Sequence, residues 1–149
     1  MIKKRSQRFK PIHQLAQRRE DVAAQTLGKV QRELNEHQLK LAELIQYYED
    51  YQTRFTEQAS NGMSISQVQS YQNFISQLKI AIVEQKKNIS RVEETCDSKR
   101  AAWNTERQKS QVLEKVISRH EKKELQDENK QEQRRMDEFV SNRFWHLKK

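Results

Sequence analysis

The stretch Ser60-Asn61-Gly62-Met63-Ser64 decides how this chain folds, because it is the one good turn signal between Pro11 and the C-terminus. Asn and Gly tolerate the left-handed backbone that closes a helix end. Ser64 followed by Gln67 has the spacing of a capping box that opens the next helix. Helix, break, helix, with almost no other punctuation, predicts an all-α fold: a long two-helix antiparallel coiled-coil hairpin with a longer second helix. The expected boundaries are a first helix over about 11–60, a turn at 61–64 and a second helix over about 65–145, in one coiled-coil domain over 1–149 with basic termini.

Working outward from the turn, both flanking segments carry heptads. In the first, Leu27, Leu34, Leu41, Tyr48 and Phe55 form the a series, and Ala23, Val30, His37, Leu44 and Tyr51 the d series. Upstream, Ile12, Leu15 and Val22 fit a shifted phase, which predicts a stutter or looser pairing near the start. Pro11 suits a first helical turn. In the second segment the a series is Val68, Ile75, Ile82, Ile89, Cys96, Trp103, Ser110 and Ile117. Its d series is Tyr71, Leu78, Gln85, Val92, Lys99, Glu106, Leu113 and His120. Lys99, Glu106 and Ser110 are poor core residues, so pairing should weaken towards the open end. Pairing Phe55 with Val68 and holding that register sets Ile12 opposite about Gln111, leaving nearly 40 residues of the second helix as overhang.

Composition fits stripes along helices and not a layered interior: 34% charged and 34% hydrophobic residues, two Gly and one Pro. No stretch alternates apolar and polar residues as a strand would. Net charge is +8, with a sequence pI near 9.6, which suggests acidic partners. The charge is uneven. Lys3, Lys4, Arg5, Arg8, Lys10, Arg18 and Arg19 stand in the first 19 residues without an acid. Between 40 and 85, acids outnumber bases. Cys96 is the only cysteine, which excludes an intrachain disulfide and is compatible with a reducing compartment. The longest apolar run, Ile80 to Val83, is too short to cross a bilayer, and Met1 to Lys10 precedes no apolar segment of a secretory signal. The expectation is a soluble, cytoplasmic protein.

Two groups of residues do not fit the seam. In an antiparallel pair the g positions of both helices share one flank, and near the turn these are Tyr47, Phe74 and Ala81. Beside Leu44, Tyr51 and Leu78 at adjacent d positions they form a one-sided apolar face, where a coiled coil normally carries Glu or Lys. Such a face either thickens the seam or docks a partner. At the open end, Lys3, Lys4, Arg5, Arg8 and Lys10 lie towards the second arm. That arm regains amphipathic order in Met136, Phe139, Val140, Phe144, Trp145 and Leu147. These ends are either solvated and frayed or a second binding surface.

Other signals are weak. His37 at a d position is expected to be packed in the seam or to act as a specificity device. His120 and Glu124 share a face, but two ligands without a second pair do not make a metal site, so no metal and no cofactor are expected. No Gly-rich phosphate loop or nucleophile–base pair is present, so catalysis is not expected.

Taken in order, Leu44-x-x-Tyr47-x-x-x-Tyr51, Gly62 in the turn and Tyr71-Gln72-Asn73-Phe74-Ile75-Ser76-Gln77-Leu78 form a pattern that continues through Ala81-Ile82, Trp103, Leu113-Glu114-Lys115 and Glu132-Gln133 to Met136-Asp137-Glu138-Phe139. Over about residues 15–140 this resembles the FliJ family of bacterial flagellar type III export. The resemblance implies a non-enzymatic cytoplasmic component, similar to the coiled-coil stalk of a rotary ATPase, peripheral to the inner membrane at the flagellar base. It implies that the paired ends enter the export ATPase ring, that the turn side engages the cytoplasmic part of the membrane export gate, and that export chaperones are recycled. Carried over, the gate-facing residues are Lys40, Leu44, Tyr47, Tyr51, Phe74, Leu78, Ala81 and Gln85. The candidate ATPase-facing residues are the five N-terminal cations with Met136, Phe139, Phe144 and Trp145. The family patterns do not cover Met1 to Lys10 or the tail from Arg143.

A basic coiled coil that binds nucleic acid is the alternative, supported by Lys3 to Lys10 and the pI. Gly62 interrupts the continuous parallel zipper that basic-region dimers need, so no nucleic acid is expected. A generic coiled-coil spacer without partners is the third reading. A monomeric hairpin is expected over a four-helix dimer.

Overall fold

A computed structural model describes residues 2–148. It contains two helices, α1 over Arg5–Ser60 and α2 over Ile65–Leu147, of 56 and 83 residues, and no strand among the described residues. They pack against each other as an antiparallel coiled-coil hairpin whose second helix is the longer. Gly62 has φ of 91°, the only positive φ among the described residues. α1 closes through the amides of Asn61 and Gly62, which donate to the carbonyls of Gln58 and Ala59 at 3.2 and 3.3 Å. The capping box forms as the sequence requires: the Ser64 amide donates to Gln67 Oε1 and the Gln67 amide to Ser64 Oγ, both at 3.2 Å.

The chain divides into two compact units, each built from a piece of both helices. In the unit Ala23–Trp103, every a and d position named above is buried or half-buried. Leu27, Leu78, Ile89 and Cys96 are the most enclosed. The polar exception is Gln85, which is only 3% exposed. Its Nε2 donates to His37 Nδ1 at 3.0 Å and to the His37 carbonyl at 2.9 Å, so one side chain satisfies two acceptors across the seam. The other ring nitrogen, His37 Nε2, lies 3.8 Å from Glu33 Oε1.

The unit of Met1–Val22 and Asn104–Lys149 departs from the sequence reading in three ways. First, the a/d phase does not shift. Ser6, Phe9, His13, Ala16 and Glu20 continue it and face α2, whereas Ile12, Leu15 and Val22 are 52%, 48% and 62% exposed. A stutter would require local unwinding of the supercoil, and here Ser6 and Phe9 contact α2 instead. Ser6 donates its amide to Glu124 Oε1 at 3.2 Å and its hydroxyl to Oε2 at 2.7 Å. Phe9 lies flat on His120, with ring centroids 5.5 Å apart.

Second, α1 starts at Arg5, so Pro11 lies inside the helix and not in its first turn. The missing N–H forfeits one helical hydrogen bond, and the turn before Pro11 contacts α2 through Ser6 and Phe9. Third, the overhang is shorter than nearly 40 residues. Phe9 meets His120, not a residue near 114, and Lys4 is ion-paired with Glu128. From Leu125 to Lys148 every described residue is exposed.

The seam makes a sharp prediction for two isoleucines on α2. Ile89→Ala, at a seam position, should cost about 2–4 kcal/mol in chemical unfolding. Ile80→Ala, 65% exposed on the outer face, should change stability by about 0.5 kcal/mol or less. Equal effects would contradict the phase.

Candidate partner-binding surfaces

On the flank beside the turn, heptad phase sets Lys40 and Tyr47 of α1 and Phe74 and Ala81 of α2 on one side. Tyr47 is 56% and Phe74 40% exposed, Lys40 is exposed and Ala81 is half-buried. Tyr51 reaches across the seam: its ring centroid is 4.4 Å from that of Phe74 and 6.2 Å from that of Tyr71. Phe55 adds a fourth ring, 5.9 Å from Tyr71. The Tyr71 hydroxyl donates to Gln58 Oε1 at 2.8 Å, and the Arg54 guanidinium lies 5.5 Å from the Tyr51 centroid. Tilted aromatic contacts of this kind fix ring orientation as well as burying area. The flank is therefore an exposed aromatic edge on a packed aromatic base.

The eight residues assigned to this surface from sequence occupy three levels. Lys40, Tyr47 and Phe74 are at the surface, and Leu44, Tyr51 and Ala81 are half-buried. Leu78 and Gln85 lie inside the seam. Leu39, Ile80 and Val83 are also exposed in this unit. Reasoning confined to seam and flank positions passes over them, although apolar residues at outward heptad positions are themselves a signal.

In the unit that carries the termini, the cations assigned from sequence divide as well. Lys4 is paired with Glu128, and Lys10 Nζ lies 3.7 Å from Glu121 Oε1. Lys3, Arg5 and Arg8 are exposed. The Lys4 pKa is raised by its hydrogen bond to Glu128 and by that group's charge. The Glu124 pKa is lowered, chiefly by the Ser6 hydroxyl, with its backbone amide, Lys4 and His120 acting in the same direction. Met136, Phe139, Phe144 and Trp145 are exposed, and Lys148 Nζ lies 4.7 Å from the Phe144 centroid. Among the described residues no group of three or more His, Cys, Asp or Glu could hold a metal ion, and no helix is long and apolar enough to cross a membrane.

The Ser6–Glu124 contact has a defined pH behaviour. Because the folded-state pKa of Glu124 is depressed, its support for helix pairing is present above the ordinary carboxylate value and lost as pH falls through the lowered one. In an NMR titration, Glu124 of the wild-type chain should titrate below an ordinary glutamate, and Ser6→Ala should move it back up. No upward movement would remove Ser6 as the cause.

The comparisons with known proteins add what geometry lacks. The family model described as Flagellar FliJ protein matches residues 5–149. The Flagellar FliJ proteins of Salmonella typhi and of Escherichia coli (strain K12) are each 27% identical over 129 residues, covering 87% of this chain and 88% of the relative. No solved structure matches. With the family model spanning both helices and the turn between them, this chain belongs to the flagellar FliJ protein family.

Proposed function

We propose that this chain is a non-enzymatic component of bacterial flagellar type III protein export, a stalk that couples the export ATPase ring to the membrane export gate and assists export-chaperone recycling. The observation that carries this reading is the aromatic flank beside the turn, in a chain of the flagellar FliJ family. Tyr47 and Phe74 are 56% and 40% exposed there, so a partner that covers them gains the corresponding part of the about 1.5–3 kcal/mol that full burial of a large apolar side chain contributes. Tyrosine is a residue type in which interfaces concentrate binding energy. We assign this flank to the cytoplasmic part of the export gate.

Leu78 and Gln85 then act from beneath, as seam residues that hold Phe74 and Ala81 in place, while Lys40 borders the contact. The ATPase ring is assigned to the unit that carries the termini, through Lys3, Arg5 and Arg8 and the exposed Met136, Phe139, Phe144 and Trp145. The proposed location is the cytoplasmic face of the inner membrane at the flagellar base, where the chain works as a monomeric hairpin.

Tyr47→Ala combined with Phe74→Ala should weaken binding to the purified cytoplasmic gate domain roughly 30-fold or more, equivalent to about 2 kcal/mol. Circular dichroism should be unchanged. Unaltered gate affinity would overturn the flank assignment. Removing residues 1–10 and 141–149 should reduce stimulation of the export ATPase while leaving gate binding intact. Full stimulation by the truncated chain would overturn the assignment of the ends.

A further inference from the structure

The phase continuity of α1 leaves Ile12 and Leu15 outside the seam, and α2 sets another exposed apolar residue beside them. Ile12, Leu15 and Val112 line a shallow groove between the helices, closed at its floor by Ala16 and Leu113. Arg19 and Lys109 line the same groove, and so does Glu106, one of whose carboxylate oxygens is buried. One heptad beyond Val112 stands Arg119, and one beyond the half-buried Val116 stands Lys123, so cations border the apolar centre at both ends. Among the described residues, Arg19, Arg119 and Lys123 form no ion pair, and Lys109 reaches only Glu106 of its own helix, at 3.8 Å. The opposite flank differs. There Glu114 and Glu121 stand near Lys10, and Lys10 and Glu121 pair.

We infer that this flank docks a helix from another protein, one whose apolar stripe is bordered by Asp and Glu. Three features select that occupant. A concave groove between two helices accepts the ridge of a third. The span from Lys109 to Lys123 on α2 is about 21 Å, the length of roughly four helical turns. Arg19, Arg119 and Lys123, which form no ion pair among the described residues, are matched by carboxylates on the partner, whereas a second copy meeting the flank symmetrically would set cation against cation. The surface is separate from the residues assigned to the gate and the ATPase, and it stands whether or not those assignments hold.

The test uses the full chain and a synthetic helical peptide of about 16 residues, with leucines at heptad spacing and Glu on both borders. A twin peptide carries Lys at the same borders. Fluorescence anisotropy should show binding of the Glu peptide that weakens as salt rises. Leu15→Asp with Val112→Asp should reduce it at least roughly tenfold, equivalent to about 1.4 kcal/mol. The milder pair Ile12→Ser with Val112→Ser should act in the same direction with unchanged circular dichroism, and Tyr47→Ala with Phe74→Ala should have no effect. The inference is overturned by no binding of the Glu peptide, equal binding of the Lys twin, or insensitivity to the groove variants. Anionic phosphatidylglycerol vesicles whose binding the groove variants abolish would assign the flank to a lipid surface instead. A concentration-dependent dimer that those variants disperse would assign it to a second copy; both results overturn the inference.

Discussion

The structure depends on one repeated constraint: each helix must present a side chain to the other at alternating intervals of three and four residues. A straight α-helix does not return to the same face after seven residues, so a maintained heptad favours supercoiling of paired helices in general. Once the aromatic cluster near the turn and the aliphatic seam from Leu27 to Ile89 set the phase, the chain on either side inherits it. Ser6, His13 and Glu20 then face the partner despite being polar, and Ile12 and Leu15 face solvent despite being apolar.

Extending a seam through polar residues has a cost, and it falls where hydrogen bonds are incomplete. Gln85 is fully engaged with His37, and Ser6 with Glu124. His13 Nε2 and one carboxylate oxygen of Glu106, in contrast, are buried without a partner among the described residues. An unsatisfied buried polar atom costs about 1–3 kcal/mol. The unit that carries the termini therefore gains less from each turn of pairing than the unit around the aromatic cluster. In the proposed function this leaves the gate-facing flank on a well-packed base. The ends proposed to face the ATPase lie where pairing is weaker, and every described side chain from Leu125 to Lys148 is exposed.

Much of this was legible in the residues themselves. Gly62, Ser64 and Gln67 give the turn its chemistry, and their geometry follows from residue type alone. The a and d series on both sides are long enough that no other phase fits them. What the residues hid was the start of α1. Ile12, Leu15 and Val22 match a shifted stripe by hydrophobicity, and only the contacts of Ser6 and Phe9 with a distant part of α2 decide against it. Those contacts join residues more than a hundred positions apart, which no local pattern encodes. Pro11 misleads for the same reason: its helix-starting preference is local, and tertiary contacts override it. The candidate flank was legible as composition, since Tyr47 and Phe74 stand where charges are usual. The burial of Leu78 and Gln85 beneath it follows from their d positions.

Within the unit that carries the termini, the heptad phase of α1 brings Phe9 onto His120. Phe9→Cys with His120→Cys, in a chain carrying Cys96→Ala, tests this contact through reaction with a short thiol-reactive crosslinker at low protein concentration; Phe9→Cys with Leu113→Cys in the same background serves as comparison. The continuous phase predicts a rapid link within one chain for 9 and 120 and a slower one for 9 and 113. Faster linking at 113, or products joined only between chains, would contradict it.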